Sequence, residues 1–227
     1  MIEFVVLFAI SAAATGYGAA LLRLLRLNDA ISPTELIPWS FAVGFGVLGW
    51  LMFFPAAAGW LDKTSLRAVC LIGISGLWFL RGARAAWPVD QSLPFKIGLI
   101  LLAIILAFDV IEALVPPTDA DSLGYHFAHP TAFLALGKLE FQPSMADGAI
   151  PMLPQMTYML ALGLGGEGAM TLWTMVSGWA SGALLYVLCR RCMGPGWALW
   201  TTICYMSLPA VIYGGGSGQV GVRNALV

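Results

Sequence analysis

Apolar residues run along this chain in long blocks separated by short polar stretches, and the blocks set the expected architecture. Ile2 to Leu22 is the first block, long enough for a helix that crosses a bilayer, which takes about 20 residues. It lacks the basic leading region and small-residue cleavage site of a signal peptide, so it reads as an uncleaved spanning helix followed at once by Arg23 and Arg26. Asn28 to Pro38 is a polar link, and Trp39 to Trp60 is the second block, with Trp near both ends. Asp62, Lys63 and Arg67 form a short loop before Ala68 to Leu80, which with its flanking residues makes a third span. Arg81, Arg84 and Lys96 bracket a loop holding Pro88 and Pro94, and Ile97 to Val115 is the fourth span.

Beyond it, Thr131 to Leu139 predicts a short helix lying at the membrane interface, and Glu140 to Ala149 a polar turn region. Pro151 to Leu164 is apolar but too short to cross a bilayer, so it is expected to be re-entrant or to lie in the interface. Gly168 to Leu188, ending on Arg190-Arg191, is the fifth span, and Trp197 to Tyr213 the sixth. The glycine-rich segment from Gly214 reads as a flexible turn, and Ala225-Leu226-Val227 as the start of a further apolar helix, as expected of a fragment of a longer protein or of a truncated gene product. The expected fold is therefore all-α, a polytopic transmembrane helical bundle of about six spans with an outer loop carrying interface helices. Cytoplasmic loops collect Arg and Lys. That rule puts the N-terminus and residues 116–150 on the extracytoplasmic side.

Composition agrees. The chain of 227 residues is 59% hydrophobic and 10% charged, with a mean hydropathy of +0.85, against roughly 25% charged residues in soluble domains. A net charge of −1 gives no electrostatic basis for binding nucleic acid. Nine Trp and six Tyr suit membrane–water interfaces. Cys70, Cys189, Cys192 and Cys204 all lie in or beside apolar runs and read as small buried hydrophobes. Cys189-Arg-Arg-Cys192 has redox-motif spacing, but its arginines place it in the reducing cytoplasm.

Candidate chemistry concentrates between Pro116 and Pro130, a stretch holding Asp119, Asp121, Ser122, Tyr125 and both histidines of the chain, His126 and His129. Asp119 and Asp121 can share a hard divalent cation such as Mg²⁺ or Mn²⁺, or one can serve as a general base. The competing reading is helix capping near Ser122. His126 and His129 share a helix face at i, i+3 and, with Tyr125, can hold a phosphate or assist a metal; hydrogen bonding to backbone is the alternative. Asp109 and Glu112 lie in the outer half of the fourth span. Ionisable groups at membrane depth face a protein interior or a wet cavity, unless they snorkel to the surface. Lys138, Glu140, Gln142 and Asp147 read as a solvated face. Gly214 to Gly218 lacks the Gly-Lys-Ser/Thr of a phosphate-binding loop.

A spanning helix ending in Pro116-Pro-Thr, an Asp, then Leu123-x-Tyr-His-x-x-x-Pro130 and an interface helix together resemble the first outer loop of bacterial GT-C glycosyltransferases. These enzymes, protein mannosyltransferases among them, use polyprenyl-phosphate sugars. Pro151-Met-Leu-Pro-Gln-Met-x-Tyr158 and Ser207-Leu-Pro209 are similar to stretches that follow in that family. The resemblance covers about residues 97–213 and leaves 1–96 as an N-terminal extension of three spans. It implies a transferase, or its N-terminal portion, in a bacterial inner membrane. A lipid-linked sugar would be the donor and a lipid, glycan or protein the acceptor. It implies Asp121 as catalytic base or metal ligand, with Asp119 completing the acidic pair. Family members are considerably longer than this chain. Two other readings are a non-catalytic membrane subunit derived from such an enzyme, and a transporter component using Asp109 and Glu112.

Overall fold

The computed structural model describes residues 1–81, 90–143, 153–218 and 221–224. Arg84, Pro88, Asp147, Pro151 and the terminal Ala225-Leu226-Val227 lie outside the described residues. Every regular element among the described residues is helical. In order they are α1 (Ile2–Leu24), α2 (Pro33–Ala57), α3 (Lys63–Ser75, prolonged by a 3₁₀ turn, Gly76–Leu80) and α4 (Leu93–Ala113). There follow a π-helical turn (Ser122–His126), α5 (Ala128–Leu136), α6 (Leu153–Arg190), α7 (Pro195–Met206), α8 (Pro209–Gly216) and α9 (Gly221–Asn224). Among the described residues five helices are long and apolar enough to cross a membrane: α1, α2, α3 with its extension, α4 and α6. The chain is thus an all-α polytopic bundle of an integral membrane protein.

Local chemistry sets several boundaries. α2 starts at Pro33, upstream of the expected Trp39, because Ser32 and Glu35 form a reciprocal capping box and Pro33 sits at the first helical position. Asp62 caps α3 by accepting from the backbone of Thr64 (2.7 Å) and Ser65 (3.1 Å). The expected sixth span is broken: Leu208 is extended (φ −63°, ψ 133°) before Pro209, so α7 and α8 are separate short helices. The proline ring disfavours helical backbone at the preceding residue, and the continuous apolar run hid that stop.

α1 is the central strut. It crosses α2 where Gly18 and Gly44 meet: a Cβ on either would collide with a backbone carbonyl, that of Ser40 or of Ala14. Membrane helices associate through such small residues because lipid offers no hydrophobic drive. On its other face α1 packs on Gly73 and Gly76 of α3 and its extension. The largest buried cluster runs from Val6 to Val187, drawing on α1, α2, α3, α5 and α6, so residues on both sides of position 96 share it.

α6 is two helices joined at Gly166 (φ 78°, ψ −170°), a backbone region open only to glycine. Trp173 Nε1 donates to Thr157 Oγ1 at 2.8 Å. Those residues are 16 apart, which one straight helix would separate by about 24 Å. The legs therefore fold back on each other as a hairpin. The first leg, 153–165, is buried from Pro154 to Ala161, which fits the re-entrant expectation and rules out an interface-lying helix.

Two ends result. At one, Arg191 grips Glu35 with Nε (3.0 Å) and Nη2 (2.8 Å). At the other, Thr171 Oγ1 donates to Ala113 O at 2.7 Å, and the hairpin tip meets Glu3. The segment 114–143 lies at this second, loop end, tied down by Leu61 N to Gly137 O (3.2 Å) and Leu139 N to Ala56 O (2.8 Å).

Candidate functional site

The loop after α4 folds through its own polar groups. Asp119 Oδ1 accepts from Ser122 N at 2.8 Å and its carbonyl from Leu123 N at 3.2 Å, closing the turn that starts the π-helical segment. Asp119 is half-buried, while Asp121 stands exposed two residues on. Asp119 therefore does the capping that was the competing reading for the acidic pair.

Beneath the turn lies a buried polar seam. Ser122, fully buried, accepts from Gly218 N at 2.7 Å. His126, 4% exposed, pairs its Nδ1 with the Gln155 amide nitrogen at 2.7 Å. Tyr158 donates to Gly218 O at 3.4 Å. Arg223, also fully buried, donates to Ser177 Oγ (3.0 Å) and Gly214 O (2.8 Å) and lies 5.9 Å from the Tyr158 ring. Burial pulls the Arg223 guanidinium down from its ordinary value, while Tyr158 and Glu112 pull it up. The tail from Gly214 is thus an anchor for the loop, rather than the flexible turn expected of it.

The two histidines part company. His126 lies against the Tyr125 ring (centroids 4.1 Å) and Gln155. His129, 3% exposed, stacks on Phe133 (5.7 Å, 16°) within α5. Both are inside the protein, and half-buried Tyr125 is the member of the expected phosphate-binding trio with access to the surface.

Asp109 and Glu112 do not join Asp119 in one cluster. Asp109 is buried and accepts from Trp179 Nε1 at 2.8 Å. Glu112 borders a lateral cavity of about 380 Å³ with Phe108, Ile111 and Ile212. Among the described residues no group of three or more His, Cys, Asp or Glu can hold a metal. Lys138 and Glu140 form a half-exposed ion pair (2.9 Å), as a solvated face should. Cys70 is buried and Cys189 half-buried, but Cys192 and Cys204 are exposed, correcting the expectation that all four are interior. Cys192 follows the arginine-capped end of α6 and Cys204 lies on α7, so neither faces the core.

Two larger cavities flank these groups. An apolar groove of about 450 Å³ lies between α4, α6 and α7, bordered by Phe95, Leu102, Trp179, Leu199 and Met206. A pocket of about 440 Å³ separates the 116–135 segment from the α6 hairpin tip. Sequence reasoning passed over Gln155, Glu167 and Arg223. The one signal was polarity amid apolar surroundings, which does not say what a residue faces.

No family model matches the chain, and neither a curated protein nor a solved structure matches it.

Proposed function

We propose that the chain is a GT-C-type membrane glycosyltransferase, or its N-terminal portion, acting at the loop end of the bundle on a lipid-phosphate-linked sugar. The observation that carries this reading is the exposed Asp121 carboxylate, next to a turn whose Ser122 and His126 are fixed by buried hydrogen bonds. A general base needs such support, because small misplacements of a reacting group are costly. The groove between α4, α6 and α7 gives the hydrocarbon of a donor a sideways path from the bilayer.

In this reading Asp121 takes the acceptor proton. Asp119 fixes the turn with one oxygen and keeps the other for a cation. A divalent ion would be held by the Asp119 and Asp121 carboxylates, with water and the donor phosphate completing its oxygen shell. Its chemistry would be to neutralise the leaving phosphate. Tyr125 is placed to reach the donor, and His126 and His129 support the loop from inside. The residues belong to the extracytoplasmic face of a bacterial inner membrane.

The test is sugar transfer from a polyprenyl-phosphate donor by the full protein in native membranes. Asp121→Asn should lower the rate by about 10²–10⁴-fold, the contribution of a general base, with expression and folding unchanged. Transfer at the parent rate would overturn the assignment. The subunit reading has support in the sparse burial of α3 and α4, whose candidate-span windows are each only 17% buried, leaving faces for lipid or partner helices. A stable complex that keeps its function after substitution of both Asp119 and Asp121 would favour it. The transporter reading meets an obstacle in Asp109, which is closed off by Trp179.

A further inference from the structure

The pocket between the outer loop and the α6 hairpin tip has features that transfer chemistry leaves unused. Its walls are apolar, with Pro117, Leu123 and Phe127 from the loop side, Ala135 from α5 and Met170 from the second leg of α6. Its one charged lining group is Glu167, which is exposed and has no ion-pair partner among the described residues. Glu167 follows Gly166 at the hairpin tip, and its neighbour Gly168 lies under a second carboxylate: a Cβ at that position would sit 2.7 Å from a Glu3 oxygen. Two carboxylates therefore flank the tip, and among the described residues no Lys or Arg lines the cavity.

The pocket also sits at a defined depth. Pro116 and Pro117 come three and four residues after the end of α4, and Met170 is in the first turn of the second leg of α6, so this is where apolar spans give way to polar loop. In a bilayer crossed by those spans, the lipid head groups would lie at that height. A volume of about 440 Å³ suits a ligand pocket rather than a packing defect. An anionic head would be repelled by Glu3 and Glu167, whereas a cation would complete the charge. A primary ammonium adds three N–H donors that a quaternary one lacks.

We propose that this pocket binds a membrane lipid with a primary-ammonium head group, its ammonium against Glu167 and its hydrocarbon against Leu123, Phe127 and Met170. The binding stands independently of sugar transfer, so failure of either proposal leaves the other intact. It is a recognition site for one lipid class at the mouth of the loop.

The test is native mass spectrometry of the whole protein, delipidated in neutral detergent and offered equal amounts of phosphatidylethanolamine, phosphatidylcholine and phosphatidylglycerol. The parent protein should retain phosphatidylethanolamine several-fold over the other two. Glu167→Gln, at an exposed position that leaves the fold alone, should bring the three lipids to parity. Ala135→Trp, which fills the pocket from an exposed site on α5, should abolish the bound phosphatidylethanolamine. Ile72→Trp, on the exposed face of α3 and outside both cavities, should leave the preference unchanged. Equal retention of all three lipids by the parent, or an undiminished preference in Glu167→Gln, would overturn the proposal.

Discussion

At the scale of single residues, burial divides the loop's polar groups into two sets. Asp121 faces outward, whereas the buried His126 pairs with Gln155, whose amide oxygen has no hydrogen-bond partner among the described residues. Removing the imidazole leaves a buried amide with neither end paired, and an unsatisfied buried polar group costs about 1–3 kcal/mol. His126→Ala should therefore destabilise the protein by that amount, and amides of residues 119–131 should lose hydrogen-exchange protection first. The double variant with Gln155→Ala should cost less than the sum of the single changes, a coupling that a double-mutant cycle reads directly. Asp62 makes a second residue-scale prediction. Hydrogen bonds from the backbone of Ser65 and Thr64 hold its carboxyl below the usual carboxylate range. Its capping contribution should be complete above the unfolded value of about 4 and fade as pH falls through the lower folded value. The melting temperature of Asp62→Ala should accordingly lie below the parent's at neutral pH and converge with it in acid.

At the scale of elements, span lengths were legible because hydropathy is a local property: α1 and α4 lie within a few residues of the expected blocks. The shortness of residues 151–164 set that stretch apart from the spans, and the structure buries it from Pro154 to Ala161 as a leg distinct from the helix that follows. What pairs it with the second leg is Trp173 reaching Thr157, a contact no periodicity announces. The start of α2 was written in Ser32-Pro-Thr-Glu35, and the break after α7 in Leu208-Pro209, but the apolar runs on either side outweighed both. Within the candidate site, Asp119 and Asp121 were visible by residue type. Their division into a cap and an exposed group depends on the turn, and Arg223 depends on tertiary burial. The hairpin itself is testable at Gly166. Any L-residue there is strained at about 1–3 kcal/mol, so Gly166→Ala should lower the unfolding midpoint in detergent. Gly194→Ala should not, since Gly194 has open space and an ordinary φ of −66°. At the α1–α2 crossing, Gly18→Leu should cost at least the ~1–3 kcal/mol of overpacking, because what it strikes is backbone.

At the scale of the whole molecule, charge and topology agree on two unlike ends. α1 and the second leg of α6 both run away from the loop end, where Glu3 meets the hairpin tip, and finish on Arg23 and on Arg190-Arg191. α2 begins beside the latter through Glu35 and Arg191. The guanidinium of Arg191 is pushed above its ordinary value by its hydrogen bond to Glu35, so the pair keeps its charge through the physiological range. Arg81 adds its guanidinium over the Trp78 ring, 3.3 Å from the centroid, close after the last turn of the α3 extension. Moving such a cluster across a bilayer is costly, and cytoplasmic loops collect Arg and Lys. The expected orientation therefore has the arginine end inside and the loop end outside, where a transferase drawing on lipid-linked sugars would meet its acceptor. Cysteine labelling with a membrane-impermeant maleimide separates the two orientations. Cys192 is exposed beside Arg191 and, as the sole cysteine of a variant, should react only after the cells are lysed. Lys63→Cys in a cysteine-free background should react with intact spheroplasts, since it begins α3 at the loop end. The opposite pattern would place Asp121 in the cytoplasm and remove the topological support for an extracytoplasmic transferase, while leaving the helix packing unaffected.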